Sequence, residues 1–181
     1  MPDPYSEALW GATTPPADHD PDNFRYLVHM DTGINVTRFF KSQTRYFHTD
    51  PLRRIKKPKK RKLLSASLIS TDKRSTIPFT SHGVILETPP EGVALTSTRD
   101  TYSKFIGYDR LTEIYDRVLD PDELLDATKA DHHNEVLLDP TAVSVVGLIF
   151  VLTPRMFSLC PVDLNTLRNS AERHDLPLVE I

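Results

Sequence analysis

Three segments hold residues able to do chemistry, and they occur in a fixed order along the chain. Leu27-Val28-His29-Met30-Asp31 sets an imidazole inside an apolar strand, Ala94-Leu95-Thr96-Ser97-Thr98-Arg99 puts hydroxyls at a strand end, and His133-Asn134-Glu135-Val136-Leu137-Leu138 places an acid at the start of an apolar run. Each has a plain structural reading on its own: a satisfied strand histidine, a good strand edge, a solvated first residue. Brought together, they form a carboxylate with polar partners. Such a group stabilises the positive charge that develops on a sugar carbon when its glycosidic bond breaks.

The order of the three resembles the ADP-ribosyltransferase family, in which a first-strand His or Arg, a hydroxyl-bearing strand and a late glutamate converge on NAD. The strand around His29 is similar to the histidine strand of the DNA-targeting toxin branch, and Leu95-Thr96-Ser97-Thr98 is similar to the Ser-Thr-Ser strand of the arginine-bearing toxins. Asn134-Glu135-Val136-Leu137-Leu138 has the family's late glutamate running straight into apolar residues. The resemblance covers roughly residues 24–153 and mixes two branches. It implies that Glu135 faces the ribose, that His29 holds a ribose hydroxyl, that Ser97 or Thr98 orients the glutamate, and that NAD is a substrate. Ser70-Thr71 is a competing hydroxyl pair. Two positions before the glutamate, protein-modifying members often carry Glu or Gln, whereas this chain has His133, which leaves the macromolecular acceptor open.

Asp131-His132-His133, with Asp126 and Glu135, could also read as a metal cluster. Adjacent strand histidines point to opposite faces, so only one of the pair joins any one site, and no metal centre is expected. Another chemistry-bearing segment is a decamer in which Arg53, Arg54, Lys56, Lys57, Lys59, Lys60, Arg61 and Lys62 crowd together. Charges this dense repel one another, so residues 51–62 are expected as an exposed basic loop. It reads as a nuclear import signal, a patch for nucleic acid or another polyanion, or a solvated loop. Through it the chain has an alternative function, a non-catalytic nucleic-acid-binding or adaptor module.

The elements that must position these residues can be read from periodicity. Strands are expected at 24–30, 63–70, within 77–98, at 136–138 and at 143–152, where alternation or branched and aromatic residues dominate. Leu111, Ile114, Tyr115, Val118 and Leu119 have helical spacing, and Asp120-Pro121-Asp122-Glu123 reads as the start of a second helix ending near Ala130. A last helix is expected over 161–174. Strands clustered around a helical middle point to an α+β fold, mostly antiparallel, with a split sheet and peripheral helices. Neither G-x-G-x-x-G nor a phosphate-loop motif occurs.

The chain has 181 residues, which suits one domain, expected at 23–181 behind a flexible arm over 1–22 that holds five prolines. Its net charge of −3 conceals two unlike halves: 14 Lys+Arg against 9 Asp+Glu in residues 1–90, and 8 against 16 in residues 91–181. One cysteine, Cys160, excludes an internal disulfide and a cysteine-cluster metal site, and fits a reducing compartment. No apolar run reaches the roughly 20 residues of a spanning helix, and the first residues lack the pattern of a secretory signal. The expected location is cytoplasmic, or nuclear in a eukaryotic host, with no membrane partner.

Overall fold

Branched and apolar residues in alternating register build the strands, and proline- and acid-rich punctuation starts the helices. A computed structural model describes residues 14–30, 64–71, 81–98, 118–129, 134–139, 141–152 and 163–181. In chain order the strands are β1 (Arg25–Met30), β2 (Leu64–Ser70), β3 (His82–Glu87), β4 (Val93–Ser97), β5 (Glu135–Leu138), β6 (Ser144–Phe150) and β7 (Leu178–Glu180). The helices are α1 (Pro121–Ala127), which precedes β5, and α2 (Leu164–His174), which precedes β7. All seven strands form one sheet in the order β4-β5-β2-β1-β3-β6-β7, antiparallel throughout except for the β6–β7 pair. The fold is therefore α+β and mostly antiparallel. The sheet is one continuous set of seven strands where a split one was expected, because β2 pairs with both β1 and β5 and so joins the two parts.

Strand periodicity of two sorts the core into two clusters. On one face Leu27, Leu64, Ala66, Leu68, Val84, Leu86, Val136, Leu138 and Leu148 meet Leu124 and Leu125 of α1 and Leu167 and Ala171 of α2. On the other face lie Phe24, Tyr26, Val28, Ile69, Ile85, Ile149, Val151 and Val179. β6 is apolar on both faces because it is interior, paired with β3 on one side and β7 on the other. β7 was not expected from the sequence; its three residues are too few to show a period.

Local chemistry accounts for the helix starts. Asp120 accepts from the Glu123 N–H at 2.9 Å while the Glu123 carboxylate accepts from the Asp120 N–H at 3.1 Å, a reciprocal capping box behind Pro121. Asp163 caps α2 by accepting from Asn165 N–H at 3.2 Å. The helix expected over 111–119 falls mostly outside the described residues. Its last two positions, Val118 and Leu119, are not helical, and Val118 is 40% exposed. The Leu119 N–H instead donates to Thr96 Oγ1 at 2.7 Å, so a bond to the sheet replaces a helical one.

Residues 14–22, expected within a flexible arm, pack on the sheet. A short 3-10 turn over Pro16–Asp18 buries Pro16 above Gly147, where a Cβ would lie 3.2 Å from the Pro16 Cβ. His19 Nδ1 is hydrogen-bonded to the Tyr26 hydroxyl at 2.8 Å, and the rings of Phe24 and Tyr26 stack at 5.3 Å. Residues 1–13, the strand signal at 77–79 and the whole basic segment 51–62 lie outside the described residues. Among the described residues, no helix is long and apolar enough to cross a membrane.

Candidate functional site

The turn over Pro90–Gly92 does not fold β4 back against β3. It carries β4 to the far edge of the sheet, where β4 pairs with β5 and sets Ser97 directly opposite Glu135. β5 in turn pairs with β2, with Ser65 opposite Leu137 and Ala66 opposite Val136. Alternation then puts Ser65, Ser67, Ser97 and Glu135 on one face, and Thr96 and Val136 on the helix-covered face. Two of the sequence's candidates, Ser97 and Glu135, are thus cross-strand neighbours.

Glu135 is 3% exposed, and its Oε1 accepts a hydrogen bond from Ser65 Oγ at 2.7 Å. A buried carboxylate needs such donors, because water can no longer supply them. The resemblance gives the orienting hydroxyl to Ser97 or Thr98, and Ser97 does stand directly opposite Glu135; Ser65, on the other flanking strand, adds a hydroxyl bond to the carboxylate. Of the competing pair Ser70-Thr71, Thr71 bonds the backbone at the start of β1. Thr71 Oγ1 accepts from the Phe24 N–H at 2.9 Å and donates to the Phe24 carbonyl at 3.1 Å, closing the ends of β1 and β2. A signal for Ser65 did exist in the sequence: Ser65-Ala66-Ser67 puts hydroxyls at alternate positions of an otherwise apolar strand.

His29 reaches the same place by another route. The β1–β2 register runs from Arg25 opposite Ser70 to Val28 opposite Ser67, while the β1–β3 register continues through His29 and Met30. Beyond Val28 the imidazole reaches across to β2, where Nδ1 bonds the Ser65 backbone carbonyl at 2.7 Å. A carbonyl only accepts, so Nδ1 carries the proton and Nε2 is the ring's acceptor in the neutral form. Ser65 therefore links the two candidates: its carbonyl takes a proton donor from His29, and its hydroxyl donates to Glu135. By strand parity His29 groups with Leu27 on the helix side and Glu135 with the opposite face, so they meet through Ser65 and not as neighbours on one face.

Close packing behind the histidine fixes its backbone. A Cβ on Gly83 would lie 2.6 Å from the His29 carbonyl oxygen and 2.8 Å from Met30 Sδ, so only glycine fits beside this end of β1. At the other end of β1, Arg25 is ion-paired with Asp122 of α1. Asn134, which the sequence reading did not single out, is fully buried and bonds both backbone groups of Leu68. Nothing in its sequence context distinguishes it from a loop asparagine; its role depends on which strand it meets.

On the same face as Val28, beside His19 and Phe24, burial pushes the Tyr26 phenol up to about 12. Burial lowers the His19 imidazole, against the opposing pull of Asp20 and the Glu180 carbonyl. Of the residues considered as metal ligands, Asp126 sits on the exposed side of α1, and 131–133 lie outside the described residues. Among the described residues no three His, Cys, Asp or Glu side chains gather as a metal site. An open groove of about 510 Å³ lies at the opposite edge of the sheet, between α2 and β7, bordered by Ala17, Arg168, Leu176 and Glu180. Compared with known proteins, the chain matches no family model, no curated protein and no solved structure.

Proposed function

We propose that the chain is an ADP-ribosyltransferase-like enzyme that uses NAD as substrate and passes ADP-ribose to a macromolecular acceptor, either nucleic acid or a nucleic-acid-associated protein. The observation that carries this reading is the link His29–Ser65–Glu135, in which an early imidazole and a late buried carboxylate are bonded to the two ends of one serine. In the reaction the bond between the ribose C1′ and the nicotinamide nitrogen breaks. Nicotinamide leaves neutral with the bonding electron pair, and the sugar acquires oxocarbenium character. A nucleophilic atom of the acceptor then forms the new bond at C1′ and loses its proton.

Glu135 faces the developing charge in this scheme, and its burial makes the electrostatic effect larger than in water. The Ser65 hydroxyl holds the carboxylate in one orientation; Ser97, directly opposite, borders it. His29, on the other face by strand parity, supports the carboxylate from behind: its Nδ1–H donates to the Ser65 carbonyl while the Ser65 hydroxyl donates to Glu135. Incubation with NAD labelled in the nicotinamide ring tests the reading. Release of nicotinamide by the wild type and its loss in Glu135→Ala are expected, and a wild type that releases none, or an alanine variant that keeps full activity, removes the proposal.

A second reading rests on one specific fact, the eight cations between Arg53 and Lys62. In it the chain is a non-catalytic module that binds nucleic acid or another polyanion, or is imported into a nucleus, through that segment. Retention on nucleic acid should then fall steeply with salt, because each neutralised phosphate releases counterions. Replacing the eight cations with serine should abolish it; retention unchanged by the replacement excludes this reading.

A further inference from the structure

We infer that Asn134 is the positioning residue of the Glu135 carboxylate: its carboxamide replaces a backbone rung between β5 and β2 and fixes how far the acid stands from Ser65. The inference rests on the reading of Glu135 as the group that faces the ribose. The β2–β5 register pairs Leu64 with Leu138, Ser65 with Leu137 and Ala66 with Val136. Continued by one more pair of rungs, it sets Leu68 opposite Asn134. At that rung the side chain makes both bonds. The Leu68 N–H donates to Asn134 Oδ1 at 2.8 Å, and Asn134 Nδ2 donates to the Leu68 carbonyl at 2.9 Å.

Asparagine suits this position chemically. It carries an acceptor and a donor side by side in one plane, as a backbone rung does, and at 0% exposure neither Leu68 group could turn to water instead. Aspartate lacks the donor, glutamine is one methylene too long, and leucine would leave two buried backbone groups without partners. Glu135 is bracketed as a result. The residue before it is clamped to Leu68, the residue after it pairs with Ala66 and with Thr96, and Ser97 stands opposite. Without the clamp, Glu135 becomes the free end of a four-residue strand, and its distance from Ser65 Oγ is no longer fixed.

The experiment compares wild type with Asn134→Ala, Asn134→Asp, Glu135→Ala and Val136→Ala, following nicotinamide release from labelled NAD and thermal unfolding. Asn134→Ala should lower kcat by about ten- to a hundredfold, the size expected when a catalytic group is misplaced by about 1 Å, and leave KM for NAD within about twofold. Val136→Ala loosens the same strand without touching the clamp, and should lose stability while keeping kcat within about threefold. If Asn134→Ala does not fold, Asn134→Asp, which keeps the bond from the Leu68 N–H, gives the same kcat and KM comparison. Full kcat in the Asn134 variants while Glu135→Ala is inactive overturns the inference and leaves the proposed function standing. A wild type that releases no nicotinamide removes the proposed function instead. The clamp is then read from the Glu135 side-chain carboxyl resonance, which should move in Asn134→Ala in the same direction as in Ser65→Ala. An unmoved resonance overturns the positioning role.

Discussion

The bond between Ser65 and Glu135 can be weighed apart from any catalytic assay. Ser65 Oγ lies 2.7 Å from Glu135 Oε1, and the glutamate is only 3% exposed, so the donor that Ser65→Ala removes is not replaced by bulk water. Hydrogen bonds to charged groups contribute about 1.5–3 kcal/mol, and Ser65→Ala should cost an amount in that range. In a Glu135→Ala background the hydroxyl has lost its acceptor, and the same substitution should cost under about 0.5 kcal/mol. The double-mutant cycle therefore has an expected coupling energy of about 1–3 kcal/mol, within the range found for directly bonded residues. Guanidinium unfolding of wild type, both single variants and the double variant at neutral pH measures all four corners, with constant m-values as the check that the denatured state is unchanged. Costs that add to within about 0.5 kcal/mol would mean the two side chains are not coupled in solution, and the account of how the carboxylate is held would fail.

Four other outcomes follow from the same geometry. The Tyr26 phenol is raised from 10.0 to about 12, so folding favours its neutral form; its stabilisation is complete below pH 10 and should fall by up to about 2.7 kcal/mol as pH rises toward 12. Urea unfolding across that window should show the loss in wild type and not in Tyr26→Phe. His19 is lowered by burial from 6.5, so its contribution is present above that value and lost as pH falls below it; the difference in stability between wild type and His19→Asn should shrink on acidification, and a difference constant from pH 8 to 5 would count against it. Asp120→Ala removes one arm of the capping box on α1 and should cost about 1 kcal/mol, measured by thermal unfolding. Gly83→Ala forces a methyl group against the His29 carbonyl and should cost about 1–3 kcal/mol, with perturbed His29 ring resonances as its signature.

How much of this was legible beforehand differs from element to element. α1 could be read almost to the residue, because Asp120, Pro121 and Glu123 act on backbone groups within one turn, and such interactions need no distant partner. β1, β2, β5 and β6 were visible for a similar reason: their apolar residues alternate or run continuously, and that pattern is intrinsic to the strand. α2 was found with its start displaced from 161 to Leu164, where Asp163 supplies the cap. The expected helix end at Val118 and Leu119 failed because the Thr96 hydroxyl, 23 positions earlier, takes the Leu119 N–H. No helical periodicity could have announced that competitor.

The candidate site divides along the same line. Taken singly, Glu135, His29 and Ser97 had ordinary structural readings; their order along the chain, through its resemblance to a family pattern, marked them. Which hydroxyl touches the carboxylate was decided by strand order. β4 and β2 both flank β5, which sets Ser97 directly opposite Glu135 and brings Ser65 Oγ to 2.7 Å from its carboxylate, although Ser65 itself pairs with Leu137. Asn134 shows the limit most plainly, for its two bonds go to Leu68, 66 positions away in the chain. The amino-acid sequence determined the strands, the caps and the chemical inventory, because these depend on neighbours within a few residues. Tertiary pairing decided which members of that inventory meet, because hydrogen bonds act over about 3 Å and only the folded sheet sets distances that short between residues so far apart.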